Sequence, residues 1–380
     1  MSSNEVVRLT PPGRGAVATL LVRGPGAVAM LEAVFQPASG IALAACPPSR
    51  LVFGRLRGVG FQPAIRGGPT GEEVVVRVRP DGAVEVHCHG GNAAIARIEE
   101  DLIGRGCRSI PWQAWVREQE RDPIAADARI ALADAQTERT AAILLDQYQG
   151  ALRAAIDQIH AAIAAGDRKL ATRELATLLG RAELGRHLVA PWRVVLAGPP
   201  NAGKSSLINA LVGYQRSIVH PVAGTTRDVL TAAIALDGWP VELSDTAGLR
   251  DAAHPLEHAG IEMTRERLAA ADLVVLVFDA SQPWTTADQA LWQSLPGALV
   301  VHNKMDLPGV SDRSHPSGVF TSALTGRGVE ELAREIATGL VPVPPPAGAA
   351  VPFTAEQIEA LQAAAAALAR GELPELESRL

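Results

Sequence analysis

The 380-residue chain is long enough for two or three domains, and its 47% hydrophobic content can fill sizeable cores. Its net charge of −6 argues against a protein held on nucleic acid mainly by a basic surface, and its three cysteines match no zinc spacing and favour a reducing cytoplasm. The sequence shows no charged start before an apolar run and no apolar stretch of about 18 residues, so it predicts neither a secretory signal nor a membrane span.

Residues 1–120 have the pattern of a small α/β unit. Pro80-Asp81-Gly82 has the residues of a hairpin turn and separates two apolar runs, which predicts a pair of strands. Asn92 is the candidate N-cap of a helix that follows them. The predicted strands span residues 17–22, 73–78 and 83–87, and the predicted helix spans residues 92–102.

Residues 121–190 form a predicted helical region. Between 124 and 188 it contains almost no glycine or proline and is rich in Ala, Leu, Arg and Glu, which are good helix formers. We expect two or three helices there. At the far end of the chain, residues 343–380 combine the rest of a proline-rich linker, 341–352, with one Ala-rich helix over 354–370.

Residues 191–342 alternate strand and helix signals, which is typical of a mostly parallel sheet with flanking helices. Asp237-Gly238 has hairpin-turn chemistry, so the strands on either side of it are expected to be antiparallel neighbours. The sequence therefore predicts an α/β fold for this region. The strand candidates are residues 193–197, 229–236, 241–244, 273–278, 298–302 and 319–321.

The turn after the first of these strands fits the phosphate-binding pattern G-x-x-x-x-G-K-[ST] over residues 198–205. Glycines let backbone N–H groups wrap a phosphate, and the N-terminus of the next helix adds its positive dipole end. Lys204 is expected to reach the β- and γ-phosphates, and Ser205 to coordinate Mg²⁺. The turn therefore predicts a P-loop nucleotide site. Its predicted contact residues are Asn201, Ala202, Gly203, Lys204, Ser205 and Ser206.

A second motif follows the P-loop where another apolar strand ends. Asp245 closes that strand and can hold Mg²⁺ through water, and the backbone N–H of Gly248 can touch a γ-phosphate. On its own, D-x-x-G also fits an ordinary turn after a strand. In this order and at this distance from a P-loop, it indicates the second phosphate and metal element of a nucleotide site.

A third motif, Asn303-Lys304-Met305-Asp306, also follows a strand. The Asp306 carboxylate can accept hydrogen bonds from both the N1–H and the amino group of guanine, a pair that adenine cannot offer. A buried acceptor left without that pair would reject the wrong base. Ser322 and Ala323 suit the loop that touches the guanine carbonyl. These residues predict GTP rather than ATP.

Thr226, in the segment 224–228, is the candidate switch threonine that binds Mg²⁺ when a γ-phosphate is present. Leu249 occupies the position at which Ras-like proteins carry the glutamine that orients the attacking water. Hydrolysis therefore needs another means of positioning water and another source of positive charge. A slow or inactive GTPase is the alternative interpretation.

Three segments together resemble one family: NAGKSSL at 201–207, AGTTRD at 223–228 and DTAGLR at 245–250 are similar to the tRNA modification GTPase family MnmE, also called TrmE. Independently, TPPGRG at 10–15 and HGG at 89–91 resemble that family's folate-binding domain. The resemblance is close across 192–342, fair across 6–100 and poor elsewhere. The chain is thus identified as a shortened, divergent member with a TrmE-type G domain.

The resemblance implies a potassium ion beside the phosphates in place of an arginine finger. Asn201 matches the P-loop asparagine that helps to hold the ion, and the loop 220–225 matches the segment that supplies backbone oxygens. The family's catalytic glutamate matches Glu257, which otherwise has the pattern of a solvated carboxylate at a helix start. The catalytic candidates are Glu257, Lys204 and Thr226; the candidate Mg²⁺ ligands are Ser205 and Thr226; the candidate K⁺ ligands are Asn201, His220, Val222 and Thr225.

The resemblance also implies partners. Members of the family pair through the N-terminal domain, GTP brings their G domains together, and a flavoprotein like MnmG works with them on tRNA. The apolar segments 74–78 and 84–86 offer a pairing surface for a homodimer. A tetrahydrofolate derivative would bind the N-terminal unit, where Glu85 matches one contact residue.

The sequence departs from the family at three places. The arginine expected in the folate site falls at Leu21, with Arg23 two positions late, and the matching lysine of the helical region falls near Ala131. The family also ends in a further helical segment with a Phe-Cys-Ile-Gly-Lys tail, whereas this sequence ends in ESRL and has no cysteine after Cys107. These departures weaken the tRNA-modifying interpretation and leave the GTPase interpretation intact.

Three hypotheses about function therefore stay open. The first is an enzyme of tRNA wobble-uridine modification with a flavin-dependent partner. The second is a divergent GTPase switch that has lost this chemistry and acts as a nucleotide-controlled interaction protein. The third is a nucleotide-binding protein with negligible hydrolysis.

His87-Cys88-His89 contains metal-ligating residue types, but neighbours on one strand face opposite ways and no third ligand is evident. We therefore expect these residues to pack at a strand end.

Overall fold

In the computed structural model the chain divides into two compact units, residues 1–121 and residues 122–380. The structure describes residues 4–11, 15–57, 71–214, 231–245, 268–308 and 316–372.

The first unit is built on a seven-stranded sheet with the order β3-β4-β5-β6-β2-β1-β7. The predicted strands at 17–22, 73–78 and 83–87 are confirmed, and β5 and β6 pair antiparallel across the predicted turn. Gly82 has φ +82, which explains the glycine in that turn. Its elements are β1 (Glu5–Arg8), β2 (Val17–Arg23), α1 (Ala27–Glu32), β3 (Phe35–Pro37), a 3₁₀ turn (Leu43–Ala45), β4 (Leu51–Leu56), β5 (Glu72–Val78), β6 (Val84–His89), α2 (Asn92–Gly104), β7 (Arg108–Ile110) and α3 (Trp112–Gln119).

One sequence prediction for this unit is wrong. Helix α2 begins at Asn92 itself, with Gly91 as its N-cap, and the Asn92 side chain lies 3.4 Å from Arg8 Nη2. In the apolar segments expected to form a homodimer surface, Val74, Val76, Val84 and Val86 are buried in this unit's own core. The homodimer surface stays a prediction.

The helical region contains five helices, so the expectation of two or three is wrong. Short breaks separate them: Thr137 caps α5 with its hydroxyl, Gly150 has φ +101 before α6, and Asp167 caps α7 after Gly166, which has φ +75. These single residues are stop and start signals that helix-forming composition conceals. The helices are α4 (Pro123–Leu132), α5 (Glu138–Tyr148), α6 (Ala151–Ala164), α7 (Arg168–Leu179) and α8 (Ala182–Arg186).

The second sheet has six strands in the order β13-β12-β11-β8-β10-β9, and all its neighbours are parallel except β9 and β10. This confirms the mostly parallel α/β prediction and the hairpin at Asp237-Gly238, where both residues have positive φ. Of the strand predicted over residues 229–236, the described residues 231–236 form a strand. The elements are β8 (Trp192–Ala197), α9 (Lys204–Tyr214), β9 (Thr231–Leu236), β10 (Trp239–Asp245), β11 (Leu273–Asp279), α10 (Thr286–Ser294), β12 (Leu299–Asn303), β13 (Val319–Phe320) and α11 (Val329–Leu340).

The predicted last helix is confirmed as α12 (Ala355–Arg370), which Thr354 caps. It packs on α7, and the proline-rich segment before it lies against α5, where Gln147 Nε2 donates to Ala349 O at 3.0 Å. One hydrophobic core therefore joins the helical region, the six-stranded sheet and α12. Among the described residues, none of the helices combines the length and apolar character needed to cross a bilayer.

Candidate functional site

The predicted nucleotide motifs meet at the carboxyl edge of the six-stranded sheet. The P-loop joins the end of β8 to the start of α9, and β10, β11 and β12 end at Asp245, Asp279 and Asn303. Loops at the carboxyl ends of parallel strands form the crevice in which open α/β sheets bind ligands. The topology therefore gathers motifs that are about 100 residues apart in sequence.

Two glycines of the P-loop occupy positions that no side chain could share. A Cβ at Gly198 would lie 2.1 Å from Val277 O, and a Cβ at Gly203 would lie 2.3 Å from Asn303 Nδ2. Both residues also have positive φ, as does Asn201 with φ 61. The loop thus turns tightly into the N-terminus of α9, the geometry with which backbone N–H groups bind phosphate in P-loops.

Lys204, the first residue of α9, lies across this loop. Its side chain is buried, and Nζ donates to Gly198 O at 3.1 Å and Pro199 O at 2.9 Å. These neutral carbonyls hold the ammonium at the place where phosphate oxygens, as charged acceptors, would form stronger hydrogen bonds.

Ser205 and Asp245, the predicted Mg²⁺ residues, are in direct contact. Ser205 Oγ donates to Asp245 Oδ2 at 2.6 Å, and Asp245 is only 1% exposed. A hydroxyl and a carboxylate are the hard oxygen ligands that Mg²⁺ prefers. The residues present therefore fit a magnesium ion bound directly by Ser205 and through water by Asp245.

Asn303 ties the base-recognition motif to the P-loop. Its Nδ2 donates to Ala202 O at 3.0 Å, while its Oδ1 accepts from Thr321 Oγ1 at 3.2 Å and Ala323 N at 3.1 Å. The side chain is buried, so each of these bonds offsets a desolvation cost. Asn303 thus fixes the P-loop, β12 and the accessory loop relative to one another.

Lys304 and Asp306 extend from this anchor. Lys304 Nζ lies 2.7 Å from Asp279 Oδ2, an ion pair that the sequence analysis missed. Burial opposes ionisation of Asp279, but the hydrogen bonds from Lys304 and Ser281 outweigh it and lower the pKa of this carboxyl below its ordinary value. Asp306 is exposed, so its carboxylate is open to a ligand. An acidic residue closing an apolar strand, in register with Asn303, was the available signal for Asp279.

The accessory loop is ordered by its own backbone. Ser322 is buried, its Oγ accepts from Thr325 N at 3.1 Å, and its carbonyl accepts from Gly326 N at 2.9 Å. Leu324 next to it is 85% exposed. The loop is therefore a fixed turn at the crevice rim.

Several predicted residues lie outside the described residues: His220, Val222, Thr225, Thr226, Gly248, Leu249 and Glu257. Of the remaining P-loop residues, Asn201 and Ser206 are exposed and Ala202 is buried. The described residues thus include those predicted to contact the phosphates, the magnesium ion and the base.

Glu85, the candidate folate contact, has a different setting in the first unit. Its carboxylate lies 3.4 Å from Arg77 Nη1, 3.9 Å from Arg79 Nη1 and 3.7 Å from His87 Nε2. On β2 its direct neighbour is Leu21, which is 1% exposed and occupies the position of the expected arginine. The residues that surround Glu85 therefore do not reproduce the expected folate contacts.

The His87-Cys88-His89 segment packs as expected. Cys88 lies in the core, where burial raises the pKa of its thiol to about 11. His87 Nδ1 is 3.0 Å from Thr19 Oγ1, and exposed His89 contacts Glu72. The thiol and the imidazoles face opposite sides of the sheet.

The chain is similar in sequence to known GTPases. The family model described as 50S ribosome-binding GTPase matches residues 193–304. The chain is 34% identical over 376 residues to the tRNA modification GTPase MnmE of Chloroflexus aurantiacus, covering 87% of this chain and 80% of that protein. It is 32% identical to the MnmE of Heliobacterium modesticaldum, covering 78% and 71%.

Among solved structures, the chain is similar to the G domain of the T. maritima FeoB iron transporter, with 29% sequence identity and a TM-score of 0.30. The match covers 39% of this chain and 98% of that domain.

Proposed function

Because the chain belongs to the family of the tRNA modification GTPase MnmE, we propose that it hydrolyses GTP with the help of a potassium ion and uses this cycle in the modification of tRNA wobble uridine. The observation that carries the proposal is the Asn303 side chain, which bonds the P-loop and the accessory loop at once. This link supports a single crevice in which one nucleotide would meet both the predicted phosphate residues and the predicted base residues.

The phosphate contacts support hydrolysis as well as binding. Ser205 and Asp245 would hold a magnesium ion, which would offset the negative charge that develops during phosphoryl transfer. Lys204 would add a second positive charge beside the phosphates. Thr226 would complete the metal's ligands, and Glu257 would orient the attacking water indirectly.

Potassium answers the question raised by Leu249, which cannot orient water. A bound monovalent cation supplies the positive charge that an arginine finger supplies elsewhere. Asn201 is exposed at the P-loop with φ 61, so its side chain is available for this role. His220, Val222 and Thr225 would supply the other oxygens.

The direct test compares GTP turnover in potassium and in sodium at equal ionic strength. We expect faster hydrolysis in potassium than in sodium. The upper bound of the rate difference is the roughly 10³–10⁵-fold that an arginine finger contributes in other GTPases. Asn201→Ala should remove most of the difference and leave GDP affinity nearly unchanged. Asn209→Ala is the matched control, because Asn209 is an exposed asparagine on α9. Equal wild-type rates in the two salts would refute the role of potassium.

We infer that the protein works in a reducing cytoplasm, where its three cysteines stay free. It would act on tRNA as a homodimer, together with an MnmG-like flavoprotein. Light scattering with and without a GTP transition-state analogue tests the dimer. Deletion of the gene tests the reaction: the wobble-uridine modification should disappear from the host tRNA and return with the wild-type gene.

A second function is favoured by one observation. Leu21 is buried beside Glu85, where the resemblance places an arginine of the folate site. A GTPase switch that has lost the modification chemistry would keep the nucleotide crevice and need no folate. In that case the deletion strain keeps its modified uridine, while purified protein still hydrolyses GTP.

A further inference from the structure

A cluster of three ligand-type side chains lies at the opposite, amino edge of the six-stranded sheet. Glu183 is on α8, His187 follows one turn later, and Asp272 immediately precedes β11. Strand β8 has six residues, so roughly 16 Å separates this edge from the P-loop. The cluster is therefore independent of the magnesium residues. We call it the amino-edge cluster.

The three side chains converge on one point. Glu183 Oε1 lies 3.5 Å from His187 Nε2, and Asp272 Oδ1 lies 3.7 Å from the same nitrogen. All three ligand atoms lie within 4.8 Å of one another. These separations exceed the usual N–H···O hydrogen bond of about 2.7–3.2 Å. Zinc–ligand bonds of about 2.0–2.2 Å with tetrahedral angles place neighbouring ligand atoms about 3.3–3.6 Å apart, which is close to what is observed.

Neighbouring groups hold two of the ligands in orientation. The other oxygen of Asp272, Oδ2, accepts the backbone N–H of Arg193 at 2.6 Å, so Oδ1 is left to face His187. The His187 ring stacks on Trp192 with centroids 3.7 Å apart and an angle of 18° between the planes. Hydrogen bonds of the Arg193–Asp272 kind orient metal ligands and are worth about 10- to 100-fold in metal affinity, whereas the Trp192 stacking only fixes the plane of the His187 ring.

Glu183 is the exposed member of the cluster. Its second oxygen, Oε2, lies 3.8 Å from Arg186 Nη1, and its side chain is 63% exposed. Being one helical turn before His187, it can adjust by a rotamer change to close on a bound ion. The cluster thus has two ligands that neighbouring groups orient and one exposed ligand.

A cavity of about 460 Å³ adjoins the cluster and is lined by Glu183, Trp192 and Asp272 together with Leu340 and Val343. Trp192, whose ring is buried, forms part of the cavity wall next to the cluster. The cavity therefore offers room for a fourth, water ligand.

We propose that the amino-edge cluster binds a zinc-class divalent transition metal through Glu183, His187 and Asp272, with water as fourth ligand. Imidazole with two carboxylates suits zinc, whereas magnesium and calcium prefer oxygen ligands alone. The ion would join α8 to the starts of β8 and β11. Its role is to fix the helical region on the sheet that carries the nucleotide crevice.

The experiment measures Zn²⁺ binding to the full chain by calorimetry, with GDP and excess Mg²⁺ occupying the nucleotide crevice. Three variants are compared. Glu183→Gln removes the exposed ligand. Asp272→Asn keeps an oxygen for the Arg193 N–H and turns an amide NH₂ towards His187. Glu359→Gln, an exposed carboxylate on α12, is the matched control.

We expect one strongly bound Zn²⁺ per wild-type chain, at least about tenfold weaker binding in Glu183→Gln and Asp272→Asn, and unchanged binding in Glu359→Gln. Co²⁺ in place of zinc should give the intense visible bands of tetrahedral cobalt, and these should be lost in both ligand variants. The proposal is overturned by failure of the wild type to bind Zn²⁺, by binding that both ligand variants retain, or by only the weak bands of octahedral cobalt.

Discussion

The nucleotide crevice and the surroundings of Glu85 differ in how their predicted residues are held. In the crevice, predicted residues contact one another: Ser205 donates to Asp245, and Asn303 donates to Ala202. Glu85 instead contacts neighbours on its own sheet, such as Arg77, and faces Leu21 in place of an arginine.

The difference lies in how strongly the residues of each region depend on one another. A buried polar group that loses its partner costs about 1–3 kcal/mol, so residues that satisfy each other must be kept together. Leu21 is buried and apolar, and it packs in the small cluster that includes Val7. With Leu21 at this position, the Glu85 carboxylate lies beside the cations Arg77 and Arg79. Four substitutions test this contrast.

The largest effect is expected for Asp306→Asn. Two hydrogen bonds from guanine to a carboxylate contribute about 1.5–3 kcal/mol each, so GTP affinity should fall roughly 10²–10⁴-fold. Xanthosine triphosphate should gain affinity, because an amide complements its reversed donor and acceptor pattern. Fluorescent-nucleotide competition measures both. Asp134→Asn, at an exposed aspartate of the helical region, is the control, and an unchanged preference for GTP would remove Asp306 from the base site.

Lys204→Ala should have the next largest effect. Loss of a charge-assisted contact of about 1.5–3 kcal/mol weakens GTP binding roughly 10- to 150-fold. Arginine should restore little, since its planar head does not match a compact phosphate pocket. Lys169→Ala is a matched control, because Lys169 is an exposed lysine on α7. Titrations that give the same affinity for Lys204→Ala and the wild type would contradict the P-loop assignment.

Asp279→Asn should cost about 0.2–1 kcal/mol of stability at pH 7, typical of an ion pair that is not fully buried. The folded-state pKa of Asp279 is lowered, so its stabilising contribution is present above the unfolded value of about 3.9 and is lost as pH falls through the folded value. Thermal melts should therefore show a gap between variant and wild type at pH 7 that narrows below about pH 4. A gap that persists or widens in acid would show that the Lys304 pair is not its source.

The smallest effect is expected for Glu85→Gln in the binding of 5-formyltetrahydrofolate. Because Leu21 cannot provide the expected charge, wild-type affinity should be weak and the variant should differ from it by less than about threefold, within the value of one neutral hydrogen bond. Calorimetry at equal ligand concentrations compares the two. Tight binding that Glu85→Gln abolishes would show that this unit recognises folate and would favour the tRNA-modifying function.

Much of the α/β architecture followed from local signals. Apolar runs located the six strands of the second sheet but only β2, β5 and β6 of the seven in the first. Asp237-Gly238 located the antiparallel hairpin, because a two-residue turn with positive φ at both positions depends only on its neighbours. The predicted number of helices was wrong because it was based on average composition and not on single residues. Gly150 and Gly166 end helices inside a helix-forming composition, and averaging over the region conceals single stop signals.

The sequence by itself determined the nucleotide motifs, since a P-loop and N-K-x-D are defined by residue order and spacing. Only the tertiary structure decided which side chains support them. Asp279 is 25 residues from Lys304, and the parallel pairing of β11 with β12 brings both to one edge of the sheet. Glu183, on α8, is 89 residues from Asp272, and the parallel pairing of β8 with β11 brings the start of β11 close to the helix that precedes β8. Contacts across such distances depend on strand order and register, which no local pattern specifies.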